Sequence, residues 1–69
     1  MSINYNKLWK LLIDKHMSKT QLIKDAGITT NAMAHLGKNE DVRVSVLAKI
    51  CETLDCTFDN IVEIDRLNN

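Results

Sequence analysis

The chain has 69 residues, of which 45% are apolar and 26% charged, with nine basic side chains against nine acidic ones, two Gly and zero Pro. That size leaves room for one small domain over 1–69 and none for a second, near the lower limit for an unaided core, and the scarcity of turn formers points to an all-α fold. The longest aliphatic run, Leu11-Leu12-Ile13, is too short for a membrane span, and the N-terminus lacks the apolar stretch of a signal peptide, so the expected location is cytoplasmic.

Residues 5–16 place Leu8, Leu11 and Leu12 at three- and four-residue spacing with Lys7, Lys10 and Asp14 elsewhere on the cylinder, which predicts an amphipathic first helix. His16, beside Lys15 at its end, suits the negative pole of the helix dipole. Ser18 followed by Gln21 is the pattern in which two side chains satisfy each other's free backbone donors at a helix start. The second helix therefore spans about 19–26, turns Leu22, Ile23 and Ala26 inward, and stops at Gly27, where the left-handed conformation costs glycine little.

Only Ile28 separates Gly27 from Thr29, which has the short hydroxyl side chain wanted at a new N-cap. A third helix over 30–37 follows, with Met33 and Leu36 inward together with Ala32 or Ala34, and Gly37 at its end. Val46, Leu47, Ile50, Cys51 and Leu54 form a buried stripe on a fourth helix, about 44–55, with Arg43 at its N-cap. Thr57 caps a short fifth helix over 58–64 that carries Phe58, Ile61, Val62 and Ile64, with Asp59 at its positive pole. Cys51 and Cys56 have neither a second pair nor a nearby His to complete a zinc set, so no metal is expected, and Cys51 reads as a buried, reduced thiol.

Five short helices with a tight turn between the second and third resemble the lambda-type Cro and repressor family of DNA-binding domains, the XRE helix-turn-helix family. The resemblance covers about 5–64. Its most specific part runs from Lys19 to Lys38, with Leu22 buried, Gly27 in the turn, Ile28 beneath it, and Met33 and Leu36 on the inner face. Two positions depart from the family. Ile23 stands where a small residue lets the helices cross closely, so either the crossing widens or Ile23 rotates into the core; Gly37 stands where many relatives carry a charge. The resemblance implies a compact five-helix domain that binds double-stranded DNA.

Charge is unevenly distributed. Lys7, Lys10, Lys15, Lys19, Lys24 and Lys38 face Asp14 and Asp25 in residues 1–38, a balance of +4, whereas residues 39–69 carry −4. Either the basic half presents a positive face to phosphate, or the segregation is a chance pattern on a solvated surface. The N-terminal side chains of a helix in the major groove reach furthest into the base edges, which singles out Thr30 and Asn31. Asn pairs bidentately with adenine, and the Thr methyl packs on the thymine methyl. His35, four residues after Asn31, shares its face and can reach a guanine acceptor or a phosphate. Thr30 and Asn31 can equally serve backbone donors at the helix start.

Phosphate contacts are expected from Lys19, Thr20 and Gln21 at the start of the second helix, from Thr29, from Lys38 and Asn39 just past the third, and from Arg43. Glu40 and Asp41 repel phosphate and must point away from it. His16 and His35 lie on different elements without a nucleophile at a matching spacing, so an enzyme is not expected. The reading is a sequence-specific transcriptional regulator without cofactor or small-molecule ligand, occupying an operator and so blocking or recruiting polymerase. It implies a homodimer on a palindromic site, since one helix contacts few base pairs; the apolar last helix either supplies the dimer surface or packs on helix one. The alternative is a protein-interaction module or antitoxin-like adaptor working through Trp9, Tyr5 or the Phe58, Ile61, Val62, Ile64 patch.

Overall fold

The computed structural model describes residues 2–65. In chain order these form strand β1 (Ser2–Asn4), helices α1 (Asn6–Asp14), α2 (Lys19–Ala26), α3 (Thr30–Gly37) and α4 (Val44–Leu54), a 3-10 turn (Phe58–Asn60) and strand β2 (Glu63–Asp65). The strands are antiparallel, with Ser2 opposite Asp65, Ile3 opposite Ile64 and Asn4 opposite Glu63. Arg66, counted above among the basic residues, lies outside the described residues.

The expectation of five helices is corrected to four among the described residues, in a mostly helical fold. Where a fifth helix over 58–64 was expected, Asn60 Oδ1 accepts from the Thr57 amide at 2.9 Å and from the Thr57 hydroxyl at 3.1 Å, closing a single turn. Ile61 then drops into the core and the chain enters strand β2, where the β-branched Ile64 has the extended backbone it favours. β1 satisfies the backbone groups of this segment, and Asn4 Nδ2 ties the two strands by donating to Asp65 Oδ1 at 2.8 Å.

The inward stripes meet in one core of Tyr5, Leu8, Leu12, Leu22, Ile28, Met33, Leu36, Leu47, Ile50, Cys51, Leu54 and Ile61. Each aliphatic side chain moved fully from water contributes about 1.5–3 kcal/mol. Ala32 rather than Ala34 is the alanine of α3 that turns inward, and Ile23 is half-buried against the core, the second of its two expected placements.

Four helix ends share one device. His16, Gly27, Asn39 and Asp55 all have positive φ, between 53° and 69°. In each case the next amide reaches back to a carbonyl five residues earlier: Met17 to Leu12, Ile28 to Ile23, Glu40 to His35 and Cys56 to Cys51, at 2.9–3.2 Å. These bonds satisfy carbonyls that a helix end otherwise leaves open. One expected end changes as a result: the first helix stops at Asp14 rather than 16 because His16 is itself the left-handed residue. α3 runs to Gly37, but Asn39 rather than Gly37 takes the left-handed conformation beyond it.

Candidate nucleic-acid interface

Ser18 and Thr29 start the two helices of the candidate interface. Ser18 Oγ accepts from the Gln21 amide and Thr29 Oγ1 from the Ala32 amide, each at 3.0 Å. The reciprocal half of the Ser18 cap is absent, because Gln21 Nε2 donates instead to Asp25 Oδ1 at 2.7 Å, one turn further along α2. Gly27, at φ 69°, then lets Ile28 plug the core, and three residues separate the end of α2 from the start of α3.

Thr29, Asn31, Ala32 and His35 from α3 and its cap line one open groove with Asp41, Val42, Arg43 and Val46 from the loop and the start of α4. Four expected contact residues, Thr29, Asn31, His35 and Arg43, are thereby brought together, all exposed. Thr30 is exposed on the first turn of α3, outside the lining of the groove. Lys38 and Asn39 lie at the other end of α3, and Lys19, Thr20 and Gln21 open α2. Lys19 is not an unengaged cation: its ammonium stands 4.4 Å from the centroid of the Trp9 ring, a cation–π contact.

The loop between α3 and α4 is held from the N-terminal segment. Tyr5 is buried, its hydroxyl donates to the Glu40 carbonyl at 2.8 Å, and its amide donates to Asn39 Oδ1 at 3.3 Å. Tyr5 is therefore no exposed interaction residue, as the adaptor reading requires, and the expected phosphate ligand Asn39 has its side-chain oxygen engaged. Burial, and secondarily the charge of Asp41, raise the Tyr5 phenol above its ordinary 10.0. Of the patch expected on the last helix, Ile61 is buried, Val62 half-buried, and Phe58 and Ile64 exposed.

Glu40 is engaged within the fold. Its Oε1 lies 2.6 Å from His35 Nδ1, and this bond, with the positive charges of His35 and Lys38, holds its carboxyl below the ordinary 4.5. The helix end makes the pair: Asn39 turns the chain left-handed, the Glu40 amide returns to the His35 carbonyl at 2.9 Å, and the two side chains come side by side. The signal in the sequence was Asn at the position where a helix needs a left-handed residue, with a His four residues before it and a Glu directly after it.

The model of the Cro/C1-type HTH DNA-binding domain matches residues 7–66. The chain belongs to this family. A solved structure described as the transcriptional regulator VanUg, in its second crystal form, is similar over 90% of this chain and 83% of its own, with 50% identity and a TM-score of 0.87. No curated protein matches. The four helices of the described residues are compatible with a small helix-turn-helix domain, and the described part of the protein is a DNA-binding, transcription-regulating fold. No helix among the described residues is long and apolar enough to cross a membrane. Cys51 is buried and Cys56 half-buried, both as free thiols.

Proposed function

We propose that the protein is a sequence-specific regulator of transcription of the Cro/repressor type, folded as one domain, that inserts α3 into the major groove of duplex DNA. The observation that carries this reading is the exposed edge on which Asn31, His35, Thr29 and Arg43 converge between α3 and the α3–α4 loop, in a chain of the Cro/C1-type family. Thr30, Asn31 and His35 contact bases. Thr29, whose hydroxyl hydrogen is left over after its oxygen caps Ala32, contacts phosphate with Lys38 and Arg43. Lys19, Thr20 and Gln21 supply the positive end of α2 to a second phosphate, with the Lys19 ammonium kept beside Trp9 until DNA recruits it. Asn39 serves through its amide hydrogens, since its oxygen is held by Tyr5.

Two chains bind one palindromic operator, because a single α3 reads too few base pairs for useful discrimination. With Ile61 buried in its own domain, Phe58 and Ile64 remain as the exposed apolar side chains near the C-terminal strand available to a second copy. Duplexes selected from a random pool test the reading: a reproducible two-fold symmetric sequence is expected, bound by two chains in sedimentation. Recovery of unselected sequence would overturn sequence-specific binding, and a strict one-to-one complex with half a footprint would overturn the dimer.

A further inference from the structure

The bond between His35 and Glu40 settles which way the imidazole can act. A carboxylate has acceptors only, so the hydrogen between His35 Nδ1 and Glu40 Oε1, 2.6 Å apart, resides on the imidazole. A neutral imidazole carries one hydrogen, and with Nδ1–H committed the other ring nitrogen, Nε2, is left as an acceptor. Protonation turns Nε2 into a donor without disturbing the bond to Glu40. Both side chains are about half exposed, 54% and 50%, so Nε2 is open to a ligand.

The major groove distinguishes these two states. An acceptor on the protein pairs with the amino group of cytosine N4 or adenine N6; a donor pairs with guanine N7 or O6, thymine O4 or adenine N7, so cytosine answers only to an acceptor and guanine and thymine only to a donor. We propose that Glu40 is a positioning residue that sets the base preference of His35: by holding the hydrogen on Nδ1 it makes Nε2 an acceptor, suited to cytosine and not to guanine or thymine, while the imidazole is neutral, and a donor, suited to guanine or thymine and not to cytosine, once it is protonated. The proposal rests on the reading above that α3 enters the major groove with His35 toward the bases. It revises the expectation that His35 meets a guanine acceptor, which holds for the protonated ring alone.

The charged groups around the imidazole are Glu40 and Asp41 in the loop, Arg43 at the start of α4 and Lys38 after α3. Glu40 stays ionised through the range in which histidines ordinarily titrate, because its carboxyl is held below 4.5, first by the His35 bond. The pair is anchored from behind by the Glu40 amide on the His35 carbonyl and by Tyr5 on the Glu40 carbonyl. Neither bond involves the carboxylate, so replacing that group leaves the loop in place.

The test selects duplexes from a random pool with the full chain, with Glu40→Gln and with His35→Ala, at about pH 8.5 and about pH 5.5. The unmodified chain should enrich cytosine over guanine and thymine at one position at the higher pH, and guanine or thymine over cytosine at that position at the lower, each by about fivefold, the weight of one hydrogen bond. Glu40→Gln, whose amide can donate to Nδ1 as well as accept from it, should lose the preference at the higher pH and keep the preference for guanine or thymine over cytosine at the lower. A long-range proton–nitrogen spectrum of the free protein should show hydrogen on Nδ1 alone at the higher pH, and on either nitrogen in Glu40→Gln. The same order of cytosine against guanine and thymine at both pH values, or a Glu40→Gln pool identical to that of the unmodified chain, would overturn the proposal. A His35→Ala pool unchanged from the unmodified one would instead show that His35 does not face DNA, and the proposal would fall with that contact while the spectrum of the free protein still showed the fixed hydrogen.

Discussion

The Tyr5 hydroxyl donates to the backbone carbonyl of Glu40 at 2.8 Å, joining the segment before α1 to the loop that follows α3. The phenol is buried at 1% exposure, so the bond is shielded from competing water. Tyr5→Phe removes one neutral hydrogen bond and leaves the packing, for an expected loss of about 1 kcal/mol in unfolding free energy. Tyr5→Ala, which also empties the aromatic site, should cost about 3–5 kcal/mol. Urea unfolding of both variants checks the ratio. Equal losses would mean that the hydroxyl rather than the ring supplies the stabilisation.

Alkaline conditions should weaken the fold through two buried protons, those of Cys51 and Tyr5. Burial, and then the neighbouring Cys56 sulfur, push the Cys51 thiol up from 9.0 to about 11, and Tyr5 is raised above 10.0. The folded chain keeps these protons where the unfolded chain releases them, so stability falls as pH rises. The Cys51 contribution is whole below pH 9.0 and lost as pH approaches about 11; that of Tyr5 begins to fail above 10.0. The urea midpoint should therefore decline across this range, and in Cys51→Ala, less stable at neutral pH, it should decline less steeply. A midpoint independent of pH up to about 11 would contradict the burial of both groups.

The left-handed helix ends make a prediction of opposite sign at two positions. His16 adopts φ 55° at an exposed site where a glycine would hold the same conformation without a Cβ clash, so His16→Gly should stabilise by about 0.5–1 kcal/mol. Gly27 has φ 69°, and a Cβ there would meet no atom within 4 Å, so Gly27→Ala suffers from backbone strain alone, about 1 kcal/mol. Thermal melts of the two variants should move in opposite directions. A loss for His16→Gly would mean that the imidazole itself holds the end of α1.

The helical part of the fold is legible because its signals are local. Ser18, Gly27 and Thr29 mark helix boundaries within a few residues of the bonds they make, and the three- and four-residue spacing of Leu47, Ile50, Cys51 and Leu54 reports one buried face. The terminal sheet is not legible in that way. Ile61, Val62 and Ile64 fit a helix face as well as an extended segment, and the choice is made by β1, some 60 positions away, through pairs such as Ile3 with Ile64. Glu40 escaped a full reading for a related reason. Its charge marks it as hostile to phosphate, but its bond to His35 depends on Asn39 taking a left-handed conformation that Gly37 seemed to make unnecessary. Tyr5 was misplaced at the surface because its partners, Asn39 and Glu40, come from a loop about 35 residues on.

The central claim is that α3 reads base sequence while its flanks hold phosphate, and paired alanine substitutions at Asn31 and Lys38 test it most directly. Binding of each variant is measured on a selected operator and on random duplex at several salt concentrations, beside its melting curve. Asn31→Ala should cost about 1–3 kcal/mol on the operator and little on random DNA. Lys38→Ala should weaken both and flatten the dependence of log affinity on log salt by about 0.9. Equal losses on the two duplexes for Asn31→Ala, or a lowered melting temperature with the preference between them unchanged, would contradict a reading role for the residue that opens the exposed face of α3.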